Sequence, residues 1–163
     1  MAWVKTLVLA AGCWALAPGF ADATTATATF AVTLTIAASC TVAGGTVAFG
    51  SAGVLSTPIP TTGTLTVSCT NTTPYTVGLD QGLYGGSVTT RQMKSPTTGA
   101  FVSYSLTQDV GHATNWGNTL GSWVSGSGTG AAQAITVYAV VPSQSTPAPA
   151  TDYADTVTIT VTY

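Results

Sequence analysis

From Thr25 to Ile36 the sequence alternates without a break: Ala26, Ala28, Phe30, Val32, Leu34 and Ile36 fall on one side, and Thr25, Thr27, Thr29, Ala31, Thr33 and Thr35 on the other. A period of two is the signature of a half-buried β-strand, because successive side chains point to opposite faces. Twelve extended residues span about 40 Å, roughly twice an ordinary strand. A compact sandwich needs no strand that long.

The same pattern recurs in shorter pieces. Strands are predicted at Thr46–Gly50, Thr64–Cys69, Tyr75–Asp80, Phe101–Thr107, Ala134–Val141 and Thr156–Tyr163. Between them lie "STPIPTTG", "TNTTP", "GLYGG", "SPTTG", "SGSGTG" and "PSQSTPAPATD", all rich in turn-forming residues. The run Ser125–Gly130 reads as a hairpin loop. No segment has a helical period. Threonine, valine, glycine and tyrosine in this abundance, across 163 residues with only 5% charged, point to one all-β domain. About seven short strands at this spacing suggest an immunoglobulin-like sandwich.

The charge excludes some functions. With three Lys and Arg together and a net charge of −2, no basic face exists to neutralise phosphates or an anionic membrane. The N-terminus reads as a cleaved signal peptide, residues 1–23: Lys5, the apolar run "TLVLAAGCWALAPGF", then "ADA" ending at Ala23. The alternative, a lipidated Cys13 in "AAGC", lacks the usual leucine three residues before the cysteine. Cleavage leaves Cys40 and Cys69, which in an exported chain most simply form one disulfide; two free buried thiols are the alternative. Closing a loop of about thirty residues contributes roughly 3.6 kcal/mol in the chain-entropy view. No CxxC or HxxxH spacing supports a metal, and His112 is the single histidine.

No catalytic constellation emerges. Asp80, Asp109, Asp152 and Asp155 each sit beside turn signals, where aspartate caps or bends the backbone, although by count they admit a carboxylate pair. His112 has no GxSxG serine to serve. Asn71–Thr73 matches a glycosylation triplet, as chance allows in so Thr-rich a chain. "RQMK" at 91–94 reads as a solvated loop, or more sharply as an inter-subunit or carbohydrate contact. Trp116 and Trp123 read as core or rim packing before sugar stacking. The expectation is a protein that is not an enzyme and needs no cofactor.

Taken in order, "VTLTIAASCTVAGG", "VAFG", "GTLTVSCTNTTPYTVGLDQG", "RQM", "VSYSLTQD" followed by "NWG", "ITVYAVVPSQ" and "DYADTVTITVTY" resemble the archaic chaperone-usher pilins, the class that shares the spore coat protein U domain. The resemblance covers essentially the whole chain after residue 23. It implies a sandwich lacking its seventh strand, to which a periplasmic chaperone lends a strand until an outer-membrane usher replaces it with the next subunit's N-terminal extension.

On that resemblance, residues 24–32 form the donor strand, with Ala26, Ala28, Phe30 and Val32 facing a neighbouring subunit's core and Phe30 as the main anchor. Residues 33–163 form the pilin domain, the stretch to about Ser39 beginning its own sandwich. Val157, Ile159, Val161 and Tyr163 border the acceptor groove, with the carboxylate at Tyr163 placed for a chaperone's basic residues. The implied partners are that chaperone, the usher and neighbouring pilin subunits. The implied destination is an extracellular fibre of a Gram-negative bacterium, reached through the periplasm and serving surface attachment and biofilm formation. A coat or matrix protein exported by the same machinery is the alternative, and a carbohydrate-binding adhesin a more distant one.

Overall fold

Thr-rich alternation becomes sheet wherever two such segments lie side by side. The computed structural model describes residues 23–163, so the predicted signal segment lies outside the described residues apart from Ala23. Residues 23–34 belong to one unit of the chain and residues 35–163 to another. In the first, residues 23–34 are exposed and have no regular secondary structure.

The second unit holds β1 (Cys40–Ala43), β2 (Ile59–Cys69), β3 (Pro74–Leu79), β4 (Gln92–Lys94), β5 (Phe101–Ser103), β6 (Ser105–Thr107), β7 (Val124–Ser127), β8 (Ala132–Val141) and β9 (Ile159–Thr162). One sheet runs β1-β2-β8-β6, a second β7-β3-β9, and β4 pairs with β5 alone; every pairing is antiparallel. The two larger sheets bury the inward positions of their strands against each other. Leu65 and Val67 of β2 meet Val77 and Leu79 of β3, with Leu106, Val137, Ala139 and Trp116 completing the core. This is the all-β immunoglobulin-like sandwich that the alternation predicts, open as the resemblance implies.

Several local readings are corrected. β2 starts at Ile59 and takes in "IPTTG", because its first half pairs with the last residues of β8, from Ile59 with Val141 to Gly63 with Val137. Pro60 is tolerated in that half, where β1 does not reach. "FVSYSLT" is two strands: at Tyr104 the chain leaves β4 for β8, and the Tyr104 amide donates to the Arg91 carbonyl at 3.1 Å. The Gly and Ser run begins as β7, pairing with β3. Thr46–Gly50 keeps its alternation, with Val47 and Phe49 inward, but joins no ladder. It packs so closely on β2 that a Cβ at Gly45 would lie 2.2 Å from the Thr64 carbonyl oxygen.

The largest correction concerns "RQMK". Arg91 is not solvated; it is fully buried. Its Nε donates to the Asp80 carbonyl at 2.8 Å, its Nη1 to Val88 at 2.9 Å, and its Nη2 to Leu79 at 3.0 Å and Trp116 at 2.8 Å. A planar guanidinium serves carbonyls arriving from three segments, which the compact ammonium of lysine cannot reproduce. Burial pulls its pKa below the ordinary value, and the neighbouring Tyr104, Asp80 and Asp155 oppose that pull. Trp116 is buried as expected, its indole N–H donating to the Val77 carbonyl at 2.8 Å.

Arg91→Ala strands buried carbonyls that each cost about 1–3 kcal/mol without a donor. The expected loss in urea unfolding is at least about 3 kcal/mol, with Arg91→Lys recovering less than half. Equal stability of Arg91→Ala and the parent would refute this role.

Candidate functional site

The two larger sheets each end in an incomplete edge on the same side of the sandwich. β9 pairs with β3 along one edge, Val77 opposite Val161 and Leu79 opposite Ile159, and among the described residues no strand pairs its other edge. Ahead of it, residues 155–158 alternate in the same sense, with Asp155 and Val157 turned inward and Thr156 and Thr158 outward. Thr158 is held to β3 by two bonds: its amide donates to Asp80 Oδ1 at 2.8 Å, and its carbonyl accepts from the Asp80 amide at 3.1 Å.

Facing this edge is segment 44–50, held by packing of Val47 and Phe49 and by one hydrogen bond, Thr61 Oγ1 donating to the Ala48 carbonyl at 3.0 Å. Between the two lies a groove of about 420 Å³. Leu65, Leu79, Leu106 and Val137 form its floor; Val47, Phe49, Val157 and Ile159 form its walls. A second cleft of about 660 Å³ shares Phe49, Met93 and Tyr153 with the first and continues over Leu55, Val102 and Val141, bounded by residues 146–151. The floor is the sandwich core itself, and among the described residues neither wall is paired with a further strand. Such a site accepts an extended chain, with backbone bonding both walls and alternate side chains filling the floor.

Of the residues predicted to border the groove, Val157 and Ile159 line it. Val161 is half-buried against the core, whereas Tyr163 is 59% exposed and outside the lining. Phe49, Met93, Tyr104 and Tyr153 were not predicted there. Phe49 was legible from the alternation of 46–50; Met93 comes from the short strand β4, Tyr104 from a sheet crossing and Tyr153 from a loop, which no local pattern announces.

Ala26, Ala28, Phe30 and Val32 are exposed, and so are Leu34 and Ile36, at 85% and 77%. The expected strand over residues 33–39 does not form; the sandwich's first strand begins at Cys40. Among the described residues no strand pairs with residues 23–38, so their backbone joins no ladder.

Cys40 and Cys69 form a disulfide, and they are register partners of β1 and β2. The four aspartates bend and tie backbone, as their turn contexts predict. Asp109 accepts from the Ala113 and Thr114 amides, and these bonds hold its carboxyl below the usual range. Asp152 accepts from Ser95 Oγ and Thr97 Oγ1, which lower it likewise. Asp155 accepts from Tyr104 Oη at 2.6 Å and from the Leu83 amide at 2.8 Å, at the groove's rim. His112 Nδ1 meets Thr107 Oγ1 at 3.0 Å. Among the described residues no three His, Cys, Asp or Glu side chains gather as a metal site.

The family model of the spore coat protein U domain matches residues 26–160. Protein U of Myxococcus xanthus is 33% identical over 175 residues, covering 98% of this chain and 96% of that protein. Among solved structures, a chain matches from the CsuC-CsuE chaperone-tip adhesion subunit pre-assembly complex of the archaic chaperone-usher Csu pili of Acinetobacter baumannii. The two are 26% identical with a TM-score of 0.57, over 79% of this chain and 40% of that one.

Two titrations bound the stability of this edge. For Asp80, partial burial acts to raise the pKa, but hydrogen bonds from Thr158 and Gly82 and the charge of Arg91 hold it below the ordinary 3.8. The folded state therefore binds that proton more weakly than the unfolded chain, and stability falls as pH drops below about 4. Tyr104 is pushed above the ordinary 10.0 by burial and then by its bond to Asp155. The folded state holds the phenol proton more tightly, so its stabilisation is complete below about pH 10 and lost above. Urea unfolding across pH should show a plateau with both limbs, and Tyr104→Phe should remove the alkaline limb alone. An alkaline limb that survives Tyr104→Phe would contradict this assignment.

Proposed function

The chain belongs to the spore coat protein U domain family, and on that premise we propose that it is a polymerising subunit of a chaperone-usher fibre. This is a family of structural subunits, not of enzymes. The observation that supports the reading most strongly is the groove: an apolar floor made of the core, between two edges that have no strand.

The N-terminal extension matches what that groove requires. A donor strand places every second side chain on the floor, about 6.6–6.8 Å apart. Residues 24–32 offer Ala26, Ala28, Phe30 and Val32, and the same face continues through Leu34 and Ile36. Because β1 starts only at Cys40, the strand available to a neighbour extends to Ile36, and its bulkiest side chains are Phe30, Leu34 and Ile36. Filling the groove with four such side chains contributes about 1.5–3 kcal/mol each, or about 6–12 kcal/mol, comparable to a domain's whole net stability. A subunit with an empty groove therefore requires a stand-in. The similar solved chain comes from a chaperone-tip adhesion subunit pre-assembly complex, and a periplasmic chaperone fills that role here, with an outer-membrane usher exchanging it for the next subunit's extension.

The fibre lies outside the cell, reached through the periplasm of a Gram-negative bacterium, and serves surface attachment and biofilm formation. Among the described residues no helix is long and apolar enough to cross a membrane. The near full-length likeness to Protein U favours, as a second reading, a coat or matrix layer built by the same strand exchange. Electron microscopy of sheared material separates them, since regular fibres support the first and an amorphous layer the second.

Phe30→Asp tests the donor role. Co-expressed with its chaperone and usher, the variant should accumulate as chaperone-bound monomer at parental yield and form no polymer. Fibres of normal length from Phe30→Asp would refute the donor assignment.

A further inference from the structure

Only β1 separates the donor extension from one wall of the acceptor groove. The chain passes from Ser39 through Cys40–Ala43 directly into segment 44–50, whose Val47 and Phe49 form that wall. In a fibre, both ends of this short path are under tension. The subunit's own extension is gripped by one neighbour, and the wall grips the strand of the other.

The path is weak by itself. β1 has four ladder pairs with β2, whereas among the described residues the wall beyond it has none, only packing and one bond, from Thr61 to Ala48. Tension entering at Ser39 reaches the Cys40–Cys69 pair before any other part of β1. Once that pair parts, the remaining pairs and then the wall follow in sequence, and the incoming strand loses one of its two edges.

The covalent bond sits at that first pair. Next to it, Ser39 and Thr70 exchange two hydrogen bonds: the Thr70 amide donates to the Ser39 carbonyl at 2.9 Å, and the Ser39 amide donates to Thr70 Oγ1 at 3.1 Å. Both contacts lead into the end of β2, which is laddered to β8 continuously from Ile59 to Ser68 and lies inside the sandwich.

We propose, resting on the donor-strand reading above, that the Cys40–Cys69 disulfide isolates the acceptor groove from tension in the subunit's own extension. Force entering at Ser39 is diverted into β2, and the wall at 44–50 stays in place. The role is mechanical and separate from the disulfide's general stabilisation of the fold.

Assembled fibres held at constant force in an optical trap test this, with reduction after assembly so that folding is not at stake and thiol labelling to verify it. Reduction is expected to shorten the lifetime of strand release under tension at least tenfold, while changing spontaneous release at rest less than twofold. Cys40→Val with Cys69→Val, which keeps the site apolar, should reproduce the effect. Equal lifetimes for oxidised and fully reduced fibres overturn the proposal. So does shortening by the same factor at rest and under tension, the mark of a purely stabilising bond. Failure of the fibre reading has a different appearance, since then no fibres form through the extension at all.

Discussion

A sheet edge above an apolar floor must be covered by another strand, and this constraint organises the molecule. β9 and segment 44–50 stand on either side of Leu65, Leu79, Leu106 and Val137, and neither wall bonds the other. Water satisfies the backbone of such edges but not the side chains between them; an extended apolar peptide satisfies both. The extension that ends at Ser39 has the complementary property: apolar residues at every second position and no ladder of its own. A chain with both features fits the proposed reading, in which one subunit's extension completes another subunit's groove.

The polar interior serves the same end. Arg91 ties together carbonyls at the end of β3, in the 88 loop and at Trp116, fixing the segment against which residues 155–158 are pinned by Asp80. Asp155 and Tyr104 fasten the groove's rim to the loop at Leu83. These bonds hold open a site whose apolar residues would gain by collapsing together. With only two cationic side chains after residue 23, and Arg91 buried, the structure spends its scarce charge on this task.

Much of this was legible in the sequence because strands follow a local rule. The core faces of β2, β3 and β8, the doubled alternation at the start and the cysteine pair all came from a period of two and a count of thiols. What was not legible depended on long-range geometry. "RQMK" looks solvated because polarity is read locally, while the carbonyls that bury Arg91 come from positions 79, 80, 88 and 116. The division of "FVSYSLT" is invisible because its pattern continues across the sheet change at Tyr104. Segment 44–50 has strand periodicity yet no ladder, since periodicity reports which face is buried and not whether a partner strand is present.

In the proposed assembly one extended segment covers both walls of the groove at once. Backbone hydrogen exchange of the subunit, with and without a peptide of residues 24–39, tests it most directly. The peptide is expected to slow exchange at alternate amides in both 44–50 and 155–163, and a Phe30→Asp peptide is not. Protection confined to one wall, or spread over β7 or β6 with these segments unchanged, would contradict it.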